Sequence, residues 1–296
     1  MKSTTIAVDL AKTVFQVAIS HHPGKVAESH RLTRGQLVRF FATRQPAVVL
    51  LEACGTAHFW ARQLQQLGHE VVLLPPREVR CYVTGNKTDC TDAKALLEAH
   101  RNEEIRPVPV KSVAQQALAA LHRLRSAWMA DRTARINLVR GLLRELGHSI
   151  PVGARHLVPH TRALLESPPS ELPASLRLAL AEACDEIRDF ERRIQAVDKQ
   201  LAALGAQTPV VERLRSIPGV GLLTATALVA LVGEVQRFPT GRHFASYVGL
   251  TPREHSSGLR RRLGAISKRG LANKIARIVW AVWRNDRCFE ARCSPA

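Results

Sequence analysis

TTIAVDLAKTVFQVAIS, residues 4–20, is the stretch whose reading decides the fold. It contains two β-rich runs, 4–10 and 14–20, separated only by Ala11-Lys12-Thr13. A gap that short between strands makes a hairpin. Residues 27–32 supply a third strand. Thr33 to Thr43 sets Leu37, Val38, Phe40 and Phe41 on the apolar side of a helix. AVVLLEA (47–53) is a continuous apolar run ending at Glu52, as a buried strand requires. A helix around 58–67 and a short strand, EVVLLP at 70–75, follow. Hairpin-type strands and then alternating helix and strand define an α/β domain with a mixed sheet.

From Asp92 onward the pattern turns helical, first in DAKALLEAHR and then in the long basic segment 112–147. Ile150 to Pro173 holds five prolines and reads as an irregular turnaround. Beyond it Ile187, Phe190, Ile194, Val197, Leu201 and Leu204 recur three and four residues apart, a heptad seam that packs on another helix. Two long helices around a proline-rich turn form an antiparallel coiled-coil arm or a dimer contact, with an ordinary helical bundle as the alternative. The division this predicts is 1–108, an acidic α/β domain; 109–206, the helical arm; and 207–296, a mainly α domain.

The 296 residues include 43 Lys and Arg against 25 Asp and Glu, a formal charge of +18. Such an excess favours a polyanionic partner, nucleic acid first. A membrane role is disfavoured. The N-terminus has one early lysine and Asp9 but no long apolar core, unlike a signal peptide. The uncharged stretch Ser216–Gly233 contains Pro218, Gly219 and Gly221, and reads as a buried helical hairpin. Cysteines 54, 81, 90, 184, 288 and 293 form no CxxC pair and read as reduced cytosolic thiols.

Four acids carry the first chemical signal. Asp9 ends the first strand and Glu52 the fourth, while Asp89 and Asp92, three apart in KTDCTDAKAL, share a helix face. Carboxylates at strand ends need compensation. If the four converge, their all-oxygen set suits Mg²⁺ or Mn²⁺, which polarises a phosphodiester. Taken singly, Asp92 also fits a helix cap or first-turn acid and Asp9 a turn residue. IPGVGLLTATAL (217–228) follows a helix-hairpin-helix pattern, in which Gly219 and Gly221 would bring backbone N–H groups to a phosphate. An ordinary glycine turn between packed helices is the bland alternative. Between 251 and 280 lie eight basic residues, among them Arg253, Arg260, Arg261, Arg262, Lys268 and Arg269, against the single acid Glu254. Ser256 and Ser257 sit among them beside Gly258. A serine ringed by guanidinium groups suits phosphoryl transfer, and equally a loop that merely grips a backbone.

AVDLAK around Asp9, LLEACGT around Glu52, NKTDCTDAKAL, SIPGVGLLTA, FASYVGLTPREHSSG and LGAISKRG together resemble the DEDD-type insertion-sequence transposases of the IS110 family. REHSSG and ISKRG point to the IS1111 subgroup, and Piv-type DNA invertases are relatives. The resemblance runs in order over nearly the whole chain. It implies a RuvC-like, ribonuclease-H-type N-terminal domain with the divalent metal on Asp9, Glu52, Asp89 and Asp92. It also implies Ser257 as a nucleophile transiently linked to DNA, and a homo-oligomer whose acidic site and serine come from different protomers. An element-encoded guide RNA would pair with donor and target DNA, in the bacterial cytoplasm on the nucleoid. His255, two residues before Ser257, is a candidate base, although a surface histidine is the plainer account. One departure stands out: ISKRG runs straight into Leu271, where similar proteins have further helices, so the chain reads as internally shortened after Gly270. Two other readings remain. One is a shortened, inactive relative that still binds RNA or DNA; the other is a ribonuclease-H-type nuclease such as a junction resolvase.

Overall fold

A computed structural model describes residues 4–22, 25–83, 88–168, 172–250 and 268–290; for Asp89, Cys90, Lys268 and Arg269 it describes the backbone alone. The chain forms two compact units that divide between Ser112 and Val113.

The first unit is built on a five-stranded mixed sheet. β1 (Thr5–Asp9), β2 (Val14–Ser20) and β3 (Glu28–Thr33) form an antiparallel meander, and β4 (Val48–Glu52) and β5 (Glu70–Leu74) add in parallel beside β1. The spatial order is β3-β2-β1-β4-β5. Around the sheet lie α1 (Arg34–Ala42), α2 (Ala57–Gln66), the single turn α3 (Pro76–Val79) and α4 (Asp89–His100). Strand periodicity of two explains two separate cores. One face gathers Ile6, Val8, Phe15, Val17, Val49 and Leu51 with Leu37, Phe41, Trp60 and Leu64 of α1 and α2. The other gathers Ala7, Ala18, Leu50 and Leu74 with Ala93 and Leu96 of α4. The small side chains of Ala7, Ala18 and Ala93 let α4 approach the sheet closely. β4 is apolar on both faces because it lies inside the sheet and is covered on each side.

The strands fall where alternation predicts them. In α1, Leu37 and Phe41 are buried while Val38 is exposed, since a residue one step on is turned about 100° from its neighbour. His69 is buried and ties α1 to the sheet: its Nδ1 accepts from the Ala47 N–H at 3.2 Å, so Nε2–H donates to the Phe41 carbonyl at 3.0 Å.

The second unit is helical: α5 (Val113–Glu145), α6 (Ala154–Glu166), α7 (Ala174–Ala206), α8 (Pro209–Arg215), α9 (Leu222–Val232), α10 (Gly241–Tyr247) and α11 (Lys268–Arg284). α5 and α7 run antiparallel. Arg125 pairs with Asp198, Arg132 with Glu191 and Arg135 with Glu186, the partners retreating along α7 as α5 advances. Ile187, Ile194, Val197 and Leu201 of the predicted seam are buried, Phe190 and Leu204 partly so. The proline-rich stretch is more ordered than its composition suggests. It contains α6, with Pro159 inside, because Leu157, Val158 and Thr161 bury one face and outweigh the lost backbone bond. Arg177 secures the turn into α7 by donating to the carbonyls of Leu165, Ser167 and Pro168.

One core of this unit joins Ile136, Val139 and Leu143 to Leu157 and Leu180. Another joins Leu118, Val197 and Leu201 to α8–α11, through Val211, Leu214, Val229, Phe244, Val279 and Trp283. Among the described residues no helix is long and apolar enough to cross a membrane. Cys54, Cys81, Cys184 and Cys288 are each free, and burial pushes the Cys184 thiol above its ordinary pKa.

Candidate functional site

Asp9 and Glu52 are brought together by strand register. Val8 pairs with Leu51 across the parallel β1–β4 ladder, and each acid is the next residue, at the C-terminal end of its strand. Ala7 and Leu50, two positions earlier, face α4. Alternation therefore places Asp9 and Glu52 on that same face. Both are half-buried.

α4 covers this face, and its start is fixed by a capping box. Thr88 Oγ1 accepts from the Thr91 N–H at 3.2 Å, while the Thr88 N–H donates to Thr91 Oγ1 at 2.9 Å. The cap position is thus filled, which removes that role from Asp92. Asp92 is half-buried beside Ala93, which packs on the sheet. Asp89 opens the helix, and its side chain lies outside the described set. Among the described residues no group of three or more His, Cys, Asp or Glu is placed to hold a metal ion. The donor chemistry remains all-oxygen, as a hard divalent cation prefers.

His58 has a structural partner. Its Nδ1 accepts from the Lys111 N–H at 3.2 Å, and Arg62 donates to the Lys111 carbonyl at 2.5 Å, so the two anchor the last residues of the first unit. Burial, and then the charges of Lys111 and Arg62, hold the His58 pKa below that of an ordinary histidine.

In the second unit, the turn between α8 and α9 carries the glycine signal. Gly219 has a φ of +87°, a left-handed conformation that glycine alone adopts without strain. Gly221 caps α9 from extended backbone, and a Cβ there would meet nothing within 4 Å. Both glycines are exposed, so the N-terminal end of α9 is open to an anion. Ser256, Ser257, His255, Arg253, Arg260, Arg261 and Arg262 lie outside the described residues. Lys268 and Arg269 begin α11, with side chains outside the description.

Sequence reasoning passed over two features. One is the Thr88 cap, signalled by the Thr88/Thr91 spacing. The other is His122. Thr226 Oγ1 donates to the Leu222 carbonyl at 2.8 Å, so it receives its second bond from His122 Nε2–H at 3.0 Å. Burial, with Arg125 adding to it and Asp198 opposing, lowers the His122 pKa.

The fold thus sets an acid pair at the ends of two parallel strands under a helix, in a chain of formal charge +18. Comparison with known proteins gives the family. A family model described as "Transposase IS116/IS110/IS902 family" matches residues 211–293, and a DEDD IS110 model described as "Transposase" matches residues 6–148. A "Probable family 20 transposase" of Pseudomonas aeruginosa is 43% identical, covering 98% of this chain and 99% of that protein. A "Transposase for insertion sequence element IS1111A" of Coxiella burnetii is 36% identical over 90% of this chain and 73% of its own length. A "Pilin gene-inverting protein" of Moraxella bovis is similar at 24% identity over 88% of this chain and 75% of its own length. The chain belongs to the IS110 family of transposases. Its alignment with the Pseudomonas protein runs over 339 positions, more than the 296 residues here, so that relative carries residues with no counterpart in this chain.

Proposed function

We propose that this protein cleaves and rejoins DNA as the recombinase of an insertion sequence, with Asp9, Glu52, Asp89 and Asp92 as its metal site and Ser257 as its nucleophile. One observation carries the reading: strand register sets Asp9 beside Glu52 on the face that α4 covers, and Thr88 takes the cap so that Asp92 is not spent on it. We take the first unit as a RuvC-like, ribonuclease-H-type domain, since its hairpin-first mixed sheet supports that assignment. We take residues 109–206 as a coiled-coil arm and the turn at Gly219 and Gly221 as a helix-hairpin-helix element inside the domain 207–296.

When bound, Mg²⁺ or Mn²⁺ would polarise the scissile phosphodiester. Asp9 and Glu52 at the strand ends, with Asp89 and Asp92 in the first turn of α4, would hold the ion. The Ser257 oxygen bonds to phosphorus as the bond from phosphorus to the leaving sugar oxygen breaks. The hydroxyl proton passes to a base and the leaving oxygen gains a proton. Arg253, Arg260, Arg261 and Arg262, with Lys268 and Arg269, neutralise the charge that builds on the phosphate. Donor and target DNA, an element-encoded guide RNA and further copies of the chain complete the assembly, in the bacterial cytoplasm at the nucleoid.

The relative's extra residues favour a second reading, a shortened copy that binds nucleic acid without cutting it. We place the missing segment after Gly270, inside α11. Covalent capture separates the two readings. Full-length protein, Mg²⁺, the element-end RNA and labelled donor DNA are run on a denaturing protein gel. The recombinase gives a metal-dependent protein–DNA band that Asp9→Ala and Ser257→Ala each abolish. Binding with neither such a band nor cut DNA under Mg²⁺ or Mn²⁺ selects the inactive copy, cut DNA with no band selects a water-using nuclease, and a band that survives Ser257→Ala removes the serine assignment.

A further inference from the structure

A basic groove between α10 and α11 has no role in the chemistry above. Thr240 and Arg242 stand on one wall, Asn273, Lys274 and Arg277 on the other, around a volume of about 830 Å³. The groove is open to solvent rather than enclosed. Among the described residues its lining holds three cations and no carboxylate. Asn273 and Arg277 are four residues apart, with Lys274 between them, so they share one face of α11. Arg242, Lys274 and Arg277 are exposed, and none has an ion-pair partner among the described residues. Other arginines of the same unit are paired, as Arg125 is with Asp198 and Arg213 with Asp286. Three cations that share one concavity, with no described acid between them, repel each other and gain most from a shared anion.

The walls are fixed before any ligand arrives. Gly241 is buried at the helix crossing, where a Cβ would lie 3.2 Å from Arg277 Cα. Trp280 Nε1–H and Arg284 both donate to the Phe238 carbonyl, at 3.0 and 2.7 Å, and hold α11 to the segment that enters α10. Asn273 donates to the Leu250 carbonyl at 2.6 Å and holds it to the segment that leaves. A cleft held at both ends loses little freedom on binding.

We propose that this groove grips the sugar–phosphate backbone of a nucleic acid, with Arg242, Lys274 and Arg277 each neutralising a phosphate. An open groove with cations on both walls suits a chain of phosphates better than one small anion, and such contacts position the strand without reading its bases. The proposal rests on the nucleic-acid function assigned above and adds residues to it.

The test is the salt dependence of binding of full-length protein to random-sequence duplex DNA and to single-stranded RNA. The triple variant Arg242→Gln, Lys274→Gln, Arg277→Gln is compared with Arg123→Gln, Arg188→Gln, Lys199→Gln, which removes equal charge from exposed sites on α5 and α7. Loss of three phosphate contacts lowers the slope of log affinity against log salt by about 2.7 for duplex and about 2 for a single strand. Whichever nucleic acid shows the drop is the occupant, and the control triple keeps the wild-type slope. Equal weakening of both triples with unchanged slopes overturns the groove. Wild-type protein that binds neither nucleic acid removes the functional reading itself. If the groove triple melts early, acetic anhydride footprinting of wild-type protein decides: nucleic acid shields Lys274 and not Lys199, and equal labelling of Lys274 with and without it overturns the proposal.

Discussion

Thr88 meets the start of α4 from both directions, accepting from the Thr91 N–H and donating its own N–H to Thr91 Oγ1. Thr88→Ala loses about 1 kcal/mol of stability by urea titration. The first turn, which carries Asp89 and Asp92, then frays, and on the proposed metal site a strand-transfer assay reads a fall larger than that small destabilisation accounts for. Gly219→Ala forces a side chain into φ +87° and costs about 1–2 kcal/mol in the same titration. His58 and His122 titrate against folding. Each has its pKa lowered in the folded chain, so the unfolded chain binds more protons as pH falls below about 6.5. Their contribution is complete above that value and is lost on acidification. The melting temperature therefore drops from pH 7 to pH 5.5, and His122→Gln flattens the drop. The acids were legible by position, since Asp9 and Glu52 each follow an apolar strand. That they stand side by side was not, because parallel pairing between segments forty residues apart leaves no local trace in the sequence.

At the scale of elements, alternation and short gaps give the meander and the parallel pair away, and the observed strand ends fall within a residue or so of the expected ones. α6 is the element that composition hid. Proline density around it signals a loop, whereas three buried side chains at helical spacing decide the outcome. The α5–α7 hairpin is legible as a heptad seam, and its direction is settled by the ion pairs. These pairs reach solvent on at least one side and add little energy, and the apolar clusters do most of the holding. Leu143 and Leu201 are fully buried in different clusters. Each truncation to Ala costs about 2–5 kcal/mol. Hydrogen exchange separates them: Leu143→Ala loosens α6 and the nearby ends of α5 and α7, and Leu201→Ala loosens α8–α11.

For the whole molecule, two units with separate cores predict that residues 1–112 fold alone. A fragment of that length shows a cooperative urea transition of its own; a featureless, non-cooperative curve is the contrary result. Net charge was legible from composition, but the meeting of Arg242 with Lys274 and Arg277 at one helix crossing was not, because more than thirty residues of sequence separate them. The sheet also has consequences through its two rims. Along β3 the outward rim bears Glu28, His30 and Arg31, with Glu28 bonded to His30 and Arg44. Along β5 the chain doubles back, and the Val108 N–H donates to the Leu73 carbonyl at 2.8 Å. One margin carries ion-paired side chains and the other is crossed at Leu73 by the protein's own thread, two devices that blunt an open strand edge as a template for fibrils.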